Sequence, residues 1–499
     1  MTKGSNGDIT FIVLIIYFER RKKMRLSKKV PDLTEGPLFI RLYLFAIPIM
    51  LTGLLQIFYN MADNIVVSKW SGDALALAAV GCTGTFTAIL VNLLLGIANG
   101  ASIAVAKFFG AKEDKQVSDS VHTSMTFSLL GGIFFALLGL IISKPFLTML
   151  GTKPELMSRS LLYVRIICIG VPASSVYNFG AAILRATGNS RVPLFILASS
   201  GMINVLLNLF FVIVCNMSVS GVAIATISSQ YLSAIAVVLY LMTRKGKSYQ
   251  LIPVKLGIKA PHLKRILMIG IPSGIQQSMY TVGNMLLASA INTFPTTTVT
   301  ANSIAGNIDS IMLQSVACYG TACLTFSGQN YGAKKPERMK KVLLYTTVQA
   351  LVMGFISATL LRLCSGGIIS LYLPSDAAFR DEIVAAVNTI LGIMLYSYLI
   401  NSVNSTFNAV INSLGYTFIT MTSGIICICG VRAVWVFGIF SKIGTLRNLY
   451  FVYPVSYTIS TAVAMIIYLV VFGKAKREML AERAALEKAT DGDEKIIVL

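Results

Sequence analysis

The stretch from Leu38 to Val67, LFIRLYLFAIPIMLTGLLQIFYNMADNIVV, decides the fold class. It is predominantly apolar over more than the roughly 20 residues that an α-helix needs to cross a bilayer. Lipid offers the backbone no hydrogen-bond partners, so a run of this length is predicted to be helical. Two residues stand out within it, a proline at position 48 and a single carboxylate at position 63.

The rest of the chain has the same apolar character. Of the 499 residues, 55% are hydrophobic and only 13% are charged, which is about half the charged share of a typical soluble protein. We predict an all-α membrane protein with about twelve transmembrane helices in two pseudo-symmetric six-helix bundles. The eleven other helices are placed near Leu75–Phe109, His122–Phe146, Leu161–Ile183, Val192–Cys215, Val219–Met242, Leu263–Thr293, Thr298–Phe326, Val342–Leu363, Ile383–Ile411, Phe418–Phe440 and Leu449–Phe472.

The net charge of +21 would also suit a nucleic-acid-binding protein. The basic residues, however, lie in short runs between apolar spans, at 20–29, 244–265 and 334–341, while the alternate loops 216–220 and 294–297 carry no Lys or Arg. Anchoring of loops on the cytoplasmic side explains this pattern better. We therefore expect a multi-pass protein of the cell membrane with both termini in the cytoplasm and no nucleic-acid partner.

The predicted organisation has five parts. They are a cytoplasmic N-terminal segment (1–35), an N-terminal lobe (36–245), a cytoplasmic linker (246–262), a C-terminal lobe (263–472) and a cytoplasmic tail (473–499). Residues 1–23 contain an apolar run too short to span, so they are interpreted as an over-extended start or as a weak interfacial segment. The Ala-rich, charged tail is expected to form a short helix that frays.

Catalytic and metal-binding patterns do not emerge from the sequence. The eight cysteines lie within or at the edges of apolar spans, and there are only two histidines, so packing is favoured over disulfides or a metal cluster. No nucleophile elbow or phosphate-binding loop is recognisable. We expect a protein that is not an enzyme and has no cofactor.

An internal repeat relates the two halves. Ile47-Pro48 recurs as Ile271-Pro272, 224 residues later, and Gly110-Ala111-Lys112 recurs as Gly332-Ala333-Lys334, 222 residues later. Six spans per half give two lobes of the same orientation, which is typical of transporters that rock one half against the other. The repeated prolines, Pro48 and Pro272, are expected to bend their helices, either as part of the transport cycle or as simple packing kinks.

Two acids, Asp63 and Asp309, lie well inside predicted spans. A carboxylate at membrane depth is costly, so function is the default hypothesis. Asp63 could exchange a proton or a sodium ion for a cationic substrate. Asp309 is either functional or a helix-pairing residue with Arg432 as its partner.

Polar stripes follow two of the helices. The asparagines at 401, 404, 408 and 412 share one helix face, and the seventh helix carries Gln276, Gln277, Tyr280 and Asn284. These stripes either face a hydrated cavity or form hydrogen bonds between helices.

Several segments together resemble the multidrug and toxic compound extrusion (MATE) transporters. The resemblance runs from about residue 36 to residue 472, and it is carried by IPIMLTGLLQIFYNMADNIVVSKWSGDALALAAVG (47–81), LRATGNSRVP (184–193), INVLLNLFFV (203–212), SGVAIATISSQ (220–230) and GQNYGAKKPERM (328–339). It implies two six-helix lobes around a central cavity, and export of organic cations driven by a proton or sodium gradient.

The resemblance also implies roles for particular residues. Asp63 matches the coupling acid, Pro48 the helix-bending proline, and Asn204 and Thr226 match positions that help to hold the coupling cation. Asn208 stands where many members have a second aspartate, which removes one negative charge. A proton or sodium site at Asp63, Asn204, Asn208 and Thr226 would thus have a single formal charge, and hard cations prefer charged oxygen ligands.

The leading hypothesis is a proton- or sodium-coupled antiporter that exports amphipathic, often cationic, organic compounds by alternating access. We expect it to act in the lipid bilayer as a monomer, with a substrate cavity that includes Tyr59, Asn178, Gln276, Gln277, Asn284 and Asp309. The alternative is a flippase for lipid-linked saccharides of the related superfamily, which the scarcity of mid-span Arg and Lys disfavours. A channel is the third hypothesis, and the two-fold repeat argues against it.

Overall fold

The computed structural model describes residues 32–70, 75–372 and 379–497. The predictions for the N-terminal basic run and for residues 1–23 lie outside the described residues. The described residues form helices and loops, without a strand among them. Twelve long helices are present in this part of the chain: α1 Leu38–Trp70, α2 Ala76–Gly110, α3 Asp114–Met149, α4 Pro154–Ala186, α5 Arg191–Val214, α6 Val219–Met242, α7 Ala260–Ile291, α8 Thr296–Gly332, α9 Pro336–Leu363, α10 Arg380–Ser413, α11 Thr417–Ile443 and α12 Val452–Ile497.

Ten of these helices, within the described ranges, are long and apolar enough to cross a membrane. The other two, α7 and α8, have 32 and 37 residues, so length does not exclude them. They are more polar because they carry side chains such as Gln276, Asn284 and Gln314, which line a central cavity. The predicted all-α fold with about twelve helices is confirmed.

The two lobes repeat the same packing. In the N-terminal lobe, α4 packs against α2, α3 and α6, and α1 packs against α5. In the C-terminal lobe, α10 packs against α8, α9 and α12, and α7 packs against α11. Between the lobes, α2 contacts α7 and α8 contacts α1, so the interface has the same pseudo-two-fold relation as the lobes themselves.

Glycines allow α2 and α7 to approach closely at this interface. Gly96 and Gly100 of α2 face Gly274 and Gly270 of α7, and a Cβ on Gly96 would lie 2.1 Å from the Cα of Gly274. Small residues spaced four apart on both helices are a common solution to close helix packing in membranes. The backbones therefore meet directly where the lobes touch.

The Gly-Ala-Lys repeat marks a second close crossing, between α2 and α8. A Cβ on Gly110 would lie 1.9 Å from the carbonyl oxygen of Gln329, and a Cβ on Gly332 would lie 1.9 Å from that of Lys107. The lysine that follows each helix adopts the same left-handed turn, with φ of 61° at Lys112 and 53° at Lys334. The sequence repeat thus corresponds to a symmetric contact between the lobes.

We call the end of the molecule with the α2–α3, α4–α5, α6–α7, α8–α9 and α10–α11 loops the basic end. Contacts here hold the lobes together. The Gln329 side chain donates to the carbonyl oxygen of Ala186 at 2.6 Å and accepts from the backbone N–H of Leu33 at 3.3 Å. In this structure the lobes are closed against each other at the basic end.

The linker between the lobes is fixed to α3. The backbone N–H of Ile252 donates to His122 Nε2 at 3.0 Å, and the backbone N–H of Lys259 donates to Thr123 Oγ1 at 3.2 Å. The Lys259 ammonium lies 2.6 Å from the Asp119 carboxylate. The linker is therefore an ordered strap rather than a free connection.

Several helices extend beyond the predicted apolar cores. α3 begins at Asp114 rather than near His122, and α4 begins at Pro154 rather than near Leu161. A proline at the first helical position or an acid in the first turn stabilises a helix start, and hydropathy does not detect such polar turns. Likewise, α12 runs unbroken from Val452 to Ile497. The predicted boundary at residue 472 is therefore not a helix end.

Candidate coupling site and substrate cavity

Four side chains predicted to form the coupling site meet in the N-terminal lobe, and we call them the N-lobe cluster: Asp63 of α1, Asn204 and Asn208 of α5, and Thr226 of α6. Asn208 Nδ2 donates to one carboxylate oxygen of Asp63. Thr226 Oγ1 lies 3.4 Å from the other, within hydrogen-bond reach. Asn208 Nδ2 also donates to Asn204 Oδ1 at 3.3 Å. The structure brings all four residues together, while their role in coupling stays a prediction.

The N-lobe cluster contains hydrogen-bond donors to the Asp63 carboxylate and oxygen atoms that could bind a cation. The two donors, from Asn208 and Thr226, suit an ionised carboxylate without any metal. Asn208 Oδ1 is buried and has no hydrogen-bond partner. A sodium ion would require oxygen ligands, so the Asn208 amide would have to turn its oxygen towards Asp63. A proton on Asp63 requires no new ligand.

Tyr59 and Asn178 have packing roles in the structure. The Tyr59 hydroxyl donates to the carbonyl oxygen of Ala198 at 3.1 Å, and its ring lies against Gly201, where a Cβ would be 1.9 Å from the ring. The Asn178 amide donates within α4 to the carbonyl oxygen of Ser174 at 2.9 Å. Neither residue is among those that line the central cavity.

The repeated prolines lie inside the first helix of each lobe, Pro48 in α1 and Pro272 in α7. Proline has no N–H, so each removes one hydrogen bond from its helix. The carbonyl of Pro48 accepts a hydrogen bond from Thr52 Oγ1 at 2.7 Å. Each proline is placed where a helix can bend, and whether bending accompanies transport stays a prediction.

A central cavity of about 540 Å³ lies mainly in the C-terminal lobe, and we call it the C-lobe cavity. This volume is within the range of small-molecule sites. Carboxamides are numerous in its lining: Asn92 and Asn99 of α2, Gln276, Gln277 and Asn284 of α7, Gln314 of α8, and Asn401, Asn404, Asn408 and Asn412 of α10. Some of these also bond to each other, as Asn408 does to Asn404 at 3.0 Å. The asparagine stripe therefore serves both a cavity and hydrogen bonding.

Arg432 is the one formally charged side chain among the described residues that line this cavity. Its Nη1 donates to Asn284 Oδ1 at 2.6 Å, and its guanidinium lies 4.7 Å from the ring centroid of Tyr453. Asp309 lies outside the lining and accepts a hydrogen bond from the hydroxyl of Tyr398 at 2.9 Å. Among the described residues no ion pair joins Arg432 to Asp309, although the charge of Arg432 acts on the Asp309 carboxyl group, so the pairing of these two helices through Arg432 stays a prediction.

Arg432 and Asn208 occupy equivalent positions in the two lobes. They are 224 residues apart, which is the offset between Pro48 and Pro272. Each lies beside a widened, π-helical segment, Phe210–Val214 in α5 and Trp435–Phe440 in α11, and such segments are frequent at functional sites. Arg432 was not predicted from the sequence to be a site residue. It could have been found by adding the 224-residue offset of the internal repeat to position 208.

The MatE family model matches the chain twice, over residues 48–210 and 272–437. The chain belongs to the MATE family. The two matches start at the repeated prolines, and each covers most of one lobe. This MATE chain is therefore a multi-pass membrane transporter of two repeated lobes.

Known relatives agree with the family. The chain is 25% identical to the probable multidrug resistance protein YoeA of Bacillus subtilis, over 84% of this chain and 90% of that protein. It is 24% identical to the FAD transporter of Shewanella oneidensis, over 59% of this chain and 66% of that protein. A solved structure of the outward-facing conformation of a multidrug resistance MATE family transporter superimposes with a TM-score of 0.82, at 21% identity, covering 90% of this chain and 99% of that one. This likeness supports the two-lobe helical fold.

Proposed function

We propose that this MATE transporter is an antiporter that exports amphipathic organic compounds in exchange for a proton or a sodium ion. The observation that carries the proposal is the N-lobe cluster, where an intramembrane carboxylate meets two donors on different helices. We further propose that it works as a monomer in the cell membrane, with the basic end and both termini in the cytoplasm.

Coupling would operate through the charge of Asp63. The ionised carboxylate holds Asn208 of α5 and Thr226 of α6 against α1. Neutralisation by a proton weakens these charge-assisted hydrogen bonds, so α1 can shift relative to α5 and α6. Pro48 gives α1 a position without a backbone hydrogen bond at which to bend. Sodium is the less suitable of the two ions, because Asn208 and Thr226 present donors rather than oxygen ligands to the carboxylate.

The substrate class is supported by the relatives, which include a multidrug resistance protein and a FAD transporter. Organic cations, expected from the resemblance, remain candidate substrates. A flippase for lipid-linked saccharides is the weaker candidate, because a single guanidinium in the cavity is a poor match for a pyrophosphate with several charges.

The test compares the two intramembrane acids, Asp63 and Asp309, in vesicles. Efflux of two dyes, the cation ethidium and the anion 8-anilino-1-naphthalenesulfonate, is driven by an imposed proton gradient or an imposed sodium gradient. Asp63→Asn should abolish efflux under both gradients, whereas Asp309→Asn, a matched carboxylate outside the cluster, should retain it. Efflux by Asp63→Asn at the wild-type rate would refute the coupling role. Dye movement that ignores both gradients would indicate a channel, and the absence of gradient-driven efflux in the wild type would overturn the proposal.

A further inference from the structure

The charge of the C-lobe cavity has a sign opposite to that of the N-lobe cluster. At equivalent positions of the two lobes, Asn208 supports the carboxylate of Asp63, while Arg432 itself carries a positive charge. The acid of the C-terminal lobe, Asp309, lies outside the cavity lining, whereas Tyr398, which donates to it, belongs to that lining. A solute in the C-lobe cavity therefore meets a guanidinium and neutral amides, and no carboxylate among the described lining residues.

Arg432 is held ready for an acceptor. The residue is 1% exposed, and its Nε has no hydrogen-bond partner. A buried guanidinium with an unused donor is costly unless an acceptor completes its hydrogen bonds. Carboxylates and phosphates accept two parallel hydrogen bonds from a guanidinium, so an oxyanion is the ligand chemistry that fits best.

The neighbouring groups keep Arg432 in place. Arg432 Nη1 donates a hydrogen bond to Asn284 Oδ1 at 2.6 Å. The centre of the guanidinium lies 4.7 Å from the centroid of the Tyr453 ring, a cation–π contact. The carboxamides of α7 and α10 add donors and acceptors for the rest of the solute. A polar body with one acidic group would match this lining.

We propose that the C-lobe cavity binds the carboxylate or phosphate group of an amphipathic organic acid or zwitterion, with Arg432 as the residue that holds the oxyanion. The inference rests on the proposed transport function, and it names the substrate class of that transporter. It also separates the two ligands by charge, since the coupling cation binds in one lobe and the acidic group in the other.

The test measures binding to the purified full-length chain with probes that share a naphthalene ring. The probes are 1-naphthylacetate, 1-naphthyl phosphate, the neutral 1-naphthylacetamide and the cationic 1-naphthylmethylammonium, and equilibrium dialysis gives each dissociation constant. We expect one or both anions to bind about 10- to 100-fold more tightly than the cation, as charge-assisted hydrogen bonds imply. The tighter of the two anions identifies carboxylate or phosphate as the preferred group.

Substitutions of Arg432 then locate the effect. Arg432→Gln should remove the preference for anions, and Arg432→Lys should keep part of it. The matched control is Arg362→Gln, because Arg362 also donates to an asparagine, Asn388, but lies outside the cavity lining. An anion preference that survives Arg432→Gln would overturn the assignment. So would equal or tighter binding of the cation by the wild type, a result that does not depend on whether a variant folds.

The outcome can be told apart from that of the transport experiment, because the dialysis contains no ion gradient. Anion preference without gradient-driven efflux of either the cationic or the anionic dye would overturn the proposed antiport and leave this inference intact. Gradient-driven efflux without anion preference would overturn this inference alone.

Discussion

The close crossing of α2 and α8 predicts how a single methyl group would change the balance between conformations. A Cβ on Gly110 would lie 1.9 Å from the carbonyl oxygen of Gln329, whereas ordinary van der Waals contact begins near 3.4 Å. Because the added methyl group meets a backbone carbonyl oxygen, no side-chain rotation can relieve the clash. Gly110→Ala should therefore force α2 and α8 apart by about 1.5 Å at this point.

The energetic effect falls on one conformation only. Overpacking of this kind costs about 1–3 kcal/mol, and it destabilises the state in which the basic end is closed. A state with the lobes apart at this end avoids the clash. Because about 1.4 kcal/mol corresponds to a tenfold change in population, the balance should move towards the open basic end by about 5- to 140-fold.

Distances between spin labels can measure this change. Labels at Lys115 of α3 and Lys341 of α9, both exposed at the basic end of opposite lobes, would be placed in a cysteine-free background. Double electron–electron resonance should show a longer distance component in Gly110→Ala than in the parent protein. Gly332→Ala should act in the same way, since its Cβ would lie 1.9 Å from the carbonyl oxygen of Lys107.

Gly81→Ala is the matched control on the same helix. Nothing lies within 4 Å of the Cβ position at Gly81, so Gly81→Ala adds the same methyl group to the helix without a clash. If Gly110→Ala and Gly332→Ala give the same distance distribution as Gly81→Ala, the clash does not shift the balance between the two conformations.

Two further predictions concern buried hydrogen bonds. Tyr398→Phe removes the 2.9 Å hydrogen bond to Asp309, so it should destabilise the protein by about 1–3 kcal/mol and lower its melting temperature in detergent. The control is Tyr43→Phe, on an exposed tyrosine, and an effect of Tyr398→Phe no larger than that of the control would contradict the prediction. His122→Ala removes the acceptor for the Ile252 N–H at 3.0 Å, so trypsin should cleave the linker about 5- to 10-fold faster. The control is Thr148→Ala, at the other end of the same helix, and cleavage no faster than in this control would show that His122 does not hold the linker in place.

Much of the fold could be predicted from the sequence, because the bilayer imposes strong local rules. The length and apolarity of each span predict a helix, and the repeated Ile-Pro and Gly-Ala-Lys segments predict two lobes. The helix ends could not be placed in this way, since polar turns such as the start of α3 at Asp114 continue beyond the apolar core.

Part of the candidate site could likewise be predicted from the sequence, and part could not. Asp63 can be identified in the sequence because a carboxylate within an apolar run is a local signal. Its partner Asn208 lies 145 residues away, and only the resemblance to the family placed it nearby. Their roles stay predictions, whereas their proximity is a property of the structure.

By itself, the sequence determined the helices, the two-fold repeat and the carboxylate at position 63. Only the tertiary structure decided that the cavity lies mainly in the C-terminal lobe, and that Arg432 meets Asn284 rather than Asp309. The physical reason is that hydropathy depends on each helix separately, whereas contacts depend on how helices rotate and cross. Those crossings are set here by glycines such as Gly96 and Gly110, where backbones of different lobes meet.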